Sequence, residues 1–292
     1  MNAGGGSAAP RATATVLVIA GHDPSGGAGV LADREAVEAA GARAALVVAT
    51  STDQRAGKVV SFAPRPLRTF VREVRGARAS MPGGVPGALK VGLIVDARAL
   101  RVVAALARRL RDGGVPVVVD PVLAASGGER FLGPAAVGAL LDDLLAAGVV
   151  LTPNVPEAAE LTGLDARELA AHPAARIEAA RRLIARGARA VVLKGGHGGE
   201  DPVADLLFAA DGAGNDRVTW LAHPRLPGAG IRGSGCRFAA YLAAGLATGQ
   251  TLAVAAGAAG RYVALRIQSA GARTSSASTA GGGLIDPRGL LE

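Results

Sequence analysis

One cysteine, Cys236, stands in 292 residues, so the chain can form no internal disulfide and no multi-cysteine metal centre, which fits a reducing compartment such as the cytoplasm. Aromatics are scarce too: five Phe, two Tyr and one Trp leave little from which to build base-stacking platforms for nucleic acid. No run of five basic residues occurs, although the formal charge is +8. The arginines are scattered, as at Arg101, Arg108, Arg109, Arg111, Arg181, Arg182 and Arg186, and read as solvated helix faces, so no nucleic-acid partner is expected. Residues 1–13, rich in Gly, Ala and Ser, lack the basic start and apolar core of a signal peptide and read as a disordered leader. Phe238 to Val254 carries no charge, yet Thr248-Gly249-Gln250-Thr251 interrupts it, so two buried helices are expected there and no membrane span.

What the chain does have is apolar residues, 50% of the total, enough for a large core of Ala, Val and Leu. The length fits one large α/β domain or two small ones, and residues 270–292 read as a flexible Ser, Gly and Ala rich tail. The chain is organised around Pro227 to Ala240, PGAGIRGSGCRFAA. Glycines 228, 230, 233 and 235 allow a sharp turn, and an apolar helical run follows directly. The free N–H groups and dipole of that helix start would favour an anion above the turn, and would favour the thiolate form of Cys236. The same residues also admit plainer readings, namely a close-packed helix start and a small buried hydrophobe. The spacing G-x-G-x-x-G is not a dinucleotide site, since no acidic residue occurs from Arg217 to Ile285.

Thr15 to Gly21 reads as a fully buried strand that opens into a second glycine-rich turn, HDPSGGAGV, and a helix through about Ala40. Ala45 to Thr50 is the next strand, Thr52 to Arg55 a polar loop, Lys58 to Phe62 a short strand, and Pro66 to Arg78 a helix. From Leu89 onward strands and helices alternate: LKVGLIV, a helix ending at Gly113-Gly114, PVVVDPV, a helix over Pro134–Ala146, GVVLTPN, helices over Val155–Thr162 and Ala174–Ala185, and AVVLKGG. Ala204–Ala209 and Arg217–Ala222 follow as strands, antiparallel at an edge. Apolar strands repeated with helices predict a mostly parallel sheet covered on both faces. The polar groups Asp120-Pro121, Thr152-Pro153-Asn154 and Lys194-Gly195-Gly196-His197 each follow such a strand, so their side chains should converge on one sheet edge.

These pieces resemble the hydroxymethylpyrimidine/phosphomethylpyrimidine kinases of the ribokinase-like superfamily. AGHDPSGGAGVLAD at Ala20 carries the likeness most specifically, with DPVL at Asp120, LTPNVPEAAEL at Leu151, VLKGGH at Val192 and GSGC at Gly233. The resemblance implies a single domain over residues 14–269, a three-layer α/β/α sandwich with a mostly parallel sheet, and ATP-dependent phosphoryl transfer to 4-amino-5-hydroxymethyl-2-methylpyrimidine and its monophosphate. It implies that Gly233, Ser234, Gly235 and Cys236 form the catalytic turn, with Cys236 activating or orienting the acceptor hydroxyl. Asp120 and Lys194 would serve the ATP phosphates, while Asn154 and Glu157 would hold Mg2+ through water. Gly21, Asp33, Thr52, Gln54 and Leu93 would form the substrate side, and relatives often pair as homodimers. The chain departs from the family pattern at Arg55, at Ser126 in the flap, and at Arg232, which offers a replacement cation. A pyridoxal kinase of the same superfamily and a non-catalytic ligand-binding relative are the competing readings.

Overall fold

The computed structural model describes residues 13–55, 58–125, 128–210, 216–226 and 230–279, with the backbone alone for Gln54, Arg55, Lys58 and 271–279. The leader before Thr13, Ala56, Ser126, Pro227 to Ala229, the tail beyond Thr279 and the side chain of Gln54 lie outside the described residues.

Strand β1 (Thr15–His22) shows why the sheet becomes a middle layer. Leu17 and Ile19 enter one buried apolar cluster while Val16, Val18 and Ala20 enter another, as strand alternation dictates when both faces are covered. The first cluster draws in Phe70 and Val74 of α2 (Leu67–Ala79), the inner stripe of α3 (Ala97–Asp112), and residues of α5 (Val155–Thr162) and α7 (Pro173–Ala185). The second takes residues from α1 (Gly29–Ala39), α8 (Ser234–Ala247) and α9 (Leu252–Thr279). The result is an α/β/α sandwich.

Its nine strands run β3-β2-β1-β4-β5-β6-β7-β8-β9. The middle set is parallel: β2 (Arg43–Arg55), β1, β4 (Ala88–Val91), β5 (Val117–Val119), β6 (Val150–Leu151) and β7 (Ala190–Leu193). Antiparallel strands close both ends, β3 (Lys58–Pro64) on β2, and β8 (Val203–Ala210) then β9 (Asp216–His223) on β7. Carboxyl ends of the parallel strands therefore share one edge, where Gly21, Asp120, Thr152 and Lys194 emerge.

Four local expectations change. The polar stretch Thr52–Arg55 is strand, with Thr52 paired to Phe62 and Asp53 to Ser61 across a hairpin whose register shifts after Asp53; backbone pairing to β3 decides the conformation where side-chain polarity suggested a loop. The helix expected over Pro134–Ala146 holds α-geometry only in α4 (Pro134–Gly138), then widens over Ala139–Leu144 and tightens over Leu145–Ala147 before the left-handed Gly148. A short helix absent from the sequence reading, α6 (Ala166–Ala171), starts where Asp165 accepts the amides of Arg167 and Glu168 at 2.8 and 3.0 Å. Helix α9 also runs ten residues past 269, through Thr279.

Gly29 ties the first glycine-rich turn to β1. Its φ is +64°, and a Cβ there would lie 2.2 Å from the Gly21 carbonyl oxygen. Gly41 has φ +79° with nothing within 4 Å of its Cβ position. Gly41→Ala should therefore cost only left-handed strain, about 1–2 kcal/mol, and Gly29→Ala at least roughly 1–3 kcal/mol more from overlap. Urea unfolding of both variants measures the difference; equal costs would show that the Gly21 contact relaxes freely.

Candidate active site

Two glycine-rich turns meet above the sheet edge. In the first, the buried Asp23 carboxylate accepts the Ser25 amide at 2.9 Å, the Ser25 hydroxyl at 2.8 Å and the Ala28 amide at 3.1 Å, folding the loop around one acceptor. In the second, Gly233 precedes α8 with φ +68°, and a Cβ there would lie 2.5 Å from the Gly27 carbonyl oxygen. Only glycine permits that approach. Arg237 clamps the junction, donating to the Gly27 carbonyl at 2.9 Å, the Arg232 carbonyl at 2.8 Å and Glu35 of α1 at 2.8 Å. Arg232 adds a side-chain link to Asp23 at 2.8 Å.

These turns wall a cavity of about 860 Å³. Gly233, Ser234, Gly235 and Cys236 all line it, and the amides of α8's first turn are those that lack intrahelical partners. Asp120, Asn154 and Lys194 line it too, just after β5, β6 and β7, with Glu157 from the first turn of α5. Gly21, Thr52 and Leu93 reach it from the β1 side, where a Cβ on Gly21 would meet the Leu93 side chain at 3.1 Å. Thr52 is fixed by its hydroxyl donating to the His22 carbonyl at 3.0 Å. Asp33 does not line the cavity; it is fully buried.

The charges are arranged in pairs. Lys194 Nζ stands 3.0 Å from Asp120 Oδ1, and a Cβ on Gly235 would lie 3.0 Å from the same ammonium, so the cation rests against the anion turn. Burial alone would lower the Lys194 pKa, but the charges of Asp120 and Glu157 outweigh it and raise it. Asn154 caps α5, accepting the Glu157 amide at 2.8 Å while Glu157 accepts the Asn154 amide at 2.8 Å. Burial pushes the Glu157 carboxyl up to about 7 against the opposing pull of Lys194.

Beneath the turn lies a pair the sequence reading missed. Lys90 Nζ donates to both Asp33 oxygens at 2.7 Å, and both side chains are fully buried. Burial raises Asp33 to about 6 even though Lys90 draws it down. A lysine within the apolar strand LKVGLIV was the available signal, since a buried ammonium requires a partner. Also unforeseen, Asp205 accepts the Gly195 amide at 2.7 Å and stands 3.4 Å from His223, whose pKa that contact raises.

Cys236 corrects an expectation. Burial pushes its thiol up to about 12, and the Lys90 charge and a Gly29 backbone hydrogen bond do not offset this. The helix start therefore meets a protonated S–H. Polar amides, an ammonium and a capped carboxylate around one cleft suit stabilisation of a moving phosphoryl group better than covalent catalysis.

Fold and site together define a phosphotransferase of the ribokinase-like class. The model of the family described as "Phosphomethylpyrimidine kinase" matches residues 23–280, and the chain belongs to that family. A hydroxymethylpyrimidine/phosphomethylpyrimidine kinase of Rhizobium meliloti is 35% identical over 88% of this chain and 92% of its own length. One of Bacillus subtilis is 34% identical over 81% and 82%. Among solved structures, the pyridoxal kinase of Staphylococcus aureus in complex with AMP-PCP and pyridoxal superposes with a TM-score of 0.73 at 25% identity, covering 88% of each chain.

A protonated thiol reacts slowly with electrophiles, because the thiolate is the nucleophile. Iodoacetamide labelling of Cys236 in the ligand-free protein should climb with pH without levelling off across the neutral range. A rate plateau near neutrality would place a thiolate at the helix start after all.

Proposed function

We infer that this protein transfers the γ-phosphoryl group of ATP to the hydroxymethyl group of 4-amino-5-hydroxymethyl-2-methylpyrimidine, and then to the resulting monophosphate, within thiamine diphosphate biosynthesis. The observation that carries this reading is the GSGC turn facing Lys194 in the cavity that Gly21, Thr52 and Leu93 also line. The names of the two kinase relatives supply the substrate, and the AMP-PCP complex of the neighbour supports ATP as donor.

The roles follow from the geometry. The first-turn amides of α8 after Ser234 receive the transferring phosphoryl oxygens, and Lys194 neutralises the donor phosphates. Cys236, protonated at rest, orients the acceptor hydroxyl by hydrogen bonding; a loose transition state needs little base assistance early on. The all-oxygen set of Asp120, Asn154 and Glu157 fits a hard cation such as Mg2+ held largely through water and phosphate. No cluster of three or more His, Cys, Asp or Glu that could hold a metal stands among the described residues. Held there, Mg2+ would supply charge neutralisation to the donor phosphates. Gln54 and Asp33 are assigned to the substrate side on the family pattern, Asp33 acting from beneath the cavity floor.

No described helix is long and apolar enough to cross a membrane, and we place the enzyme in the cytoplasm. A homodimer is proposed on the family pattern, with edge strand β3 as a candidate face, since Val60 and Phe62 are exposed on it. Pyridoxal is the second acceptor to consider, because the structural neighbour binds it.

An ADP-release assay with Mg-ATP should show turnover of the pyrimidine and its monophosphate in preference to pyridoxal, with products identified by mass. Preference for pyridoxal would transfer the assignment to the second acceptor. For Glu157, the carboxyl titrates near 7 and only its charged form attracts a metal–nucleotide complex. The KM for Mg-ATP should thus fall as pH rises through about 7. Glu157→Gln should raise that KM and flatten its pH dependence; a profile unchanged in the variant would remove Glu157 from this role.

A further inference from the structure

The anion turn is flanked by two cation–carboxylate pairs, Lys194 with Asp120 at 3.0 Å and Arg232 with Asp23 at 2.8 Å. The second pair is fixed from several directions. The Arg232 carbonyl accepts from Arg237 at 2.8 Å, and its Cβ lies 3.7 Å from the position a Cβ on Gly27 would take. Its guanidinium donates to a carboxylate only 3% exposed, which three groups of its own loop also engage. The side chain is nevertheless 35% exposed and lines the cavity. Its anchor Asp23 follows β1, beside Gly21, whereas Lys194 follows β7. Four strand spacings separate β1 from β7, roughly 19 Å along the sheet.

The two phosphorylations make different demands on charge. In both, an acceptor oxygen bonds to the γ-phosphorus of ATP while the bond from that phosphorus to the β,γ-bridging oxygen breaks, its electron pair leaving with ADP. The hydroxymethyl acceptor is neutral and also releases its proton. The monophosphate acceptor releases none, but it brings about −1.5 to −2 of charge against the incoming γ-phosphate. The second step therefore needs a further cation on the acceptor side, and a guanidinium can hold a carboxylate on one edge and a phosphate on another.

We propose that Arg232, aimed by Asp23 and Arg237, binds the phosphate of the pyrimidine monophosphate and so determines specificity for the second phosphorylation. This rests on the pyrimidine-kinase reading above.

The test compares kcat/KM for the pyrimidine and its monophosphate in the full chain, in Arg232→Gln and in Arg232→Lys, with calorimetric binding of the monophosphate alone. Wild-type protein should use both acceptors. Arg232→Gln should lose at least about tenfold more on the monophosphate than on the alcohol, chiefly in KM, with a matching loss of monophosphate binding. Arg232→Lys should recover part of it. Losses equal on the two acceptors, or larger on the alcohol, would make Arg232 a loop latch or a group serving the shared transition state, and overturn the proposal. If Arg232→Gln does not fold, Asp23→Asn, which keeps the cation and weakens its anchor, must shift the acceptor ratio the same way; an unchanged ratio would equally overturn it. A wild-type enzyme that uses pyridoxal alone would instead sink the parent reading.

Discussion

Backbone contact between the two glycine-rich turns is the constraint on which the rest of this molecule depends. Gly29 lies over the Gly21 carbonyl and Gly233 over the Gly27 carbonyl, both with left-handed φ. A side chain at Gly29 would push the first turn off β1, and one at Gly233 would push the second turn off the first. Arg237 then converts proximity into rigidity by bonding to both loops and to α1 at once. Precise placement matters here because phosphoryl transfer is catalysed by positioning and charge more than by covalent steps.

Electrostatics beneath the turn follows a second logic. The Lys90–Asp33 pair is buried without water exposure, and such pairs seldom improve stability over an apolar replacement. At the cavity floor the pair acts on the local field around Cys236. The Lys90 charge opposes the rise of the Cys236 pKa, yet burial prevails, so the thiol stays protonated while the ammonium stays charged. Asp120 faces the same region and is bonded by Lys194, so two cations and two carboxylates surround one neutral hydrogen-bonding group.

Much of this was legible in the sequence. Apolar runs such as TVLVIAG and AVVL announced buried strands because parallel strands hide both faces, and the polar residues at their ends duly share one edge. Glycine spacing located both turns. Long-range pairing was what could not be read: β2 extends through Thr52–Arg55 because β3 returns beside it, and Asp33 turns inward because Lys90 lies across from it. The same holds for Asp23 and Arg232, whose meeting depends on the whole intervening fold. Local patterns reveal elements; they do not reveal which distant charge an element will face.

That separation has a consequence for the life of the chain. Asp23 and Arg232 are 209 residues apart, and Arg237 reaches back 210 residues to Gly27. Synthesis runs from the amino end, so the first glycine-rich turn emerges early and waits for its other wall until α8 has left the ribosome. Until then the bonds of Arg232 to Asp23 and of Arg237 to Gly27 cannot form. A product that stops before α8 thus lacks the turn that forms one wall of the cavity.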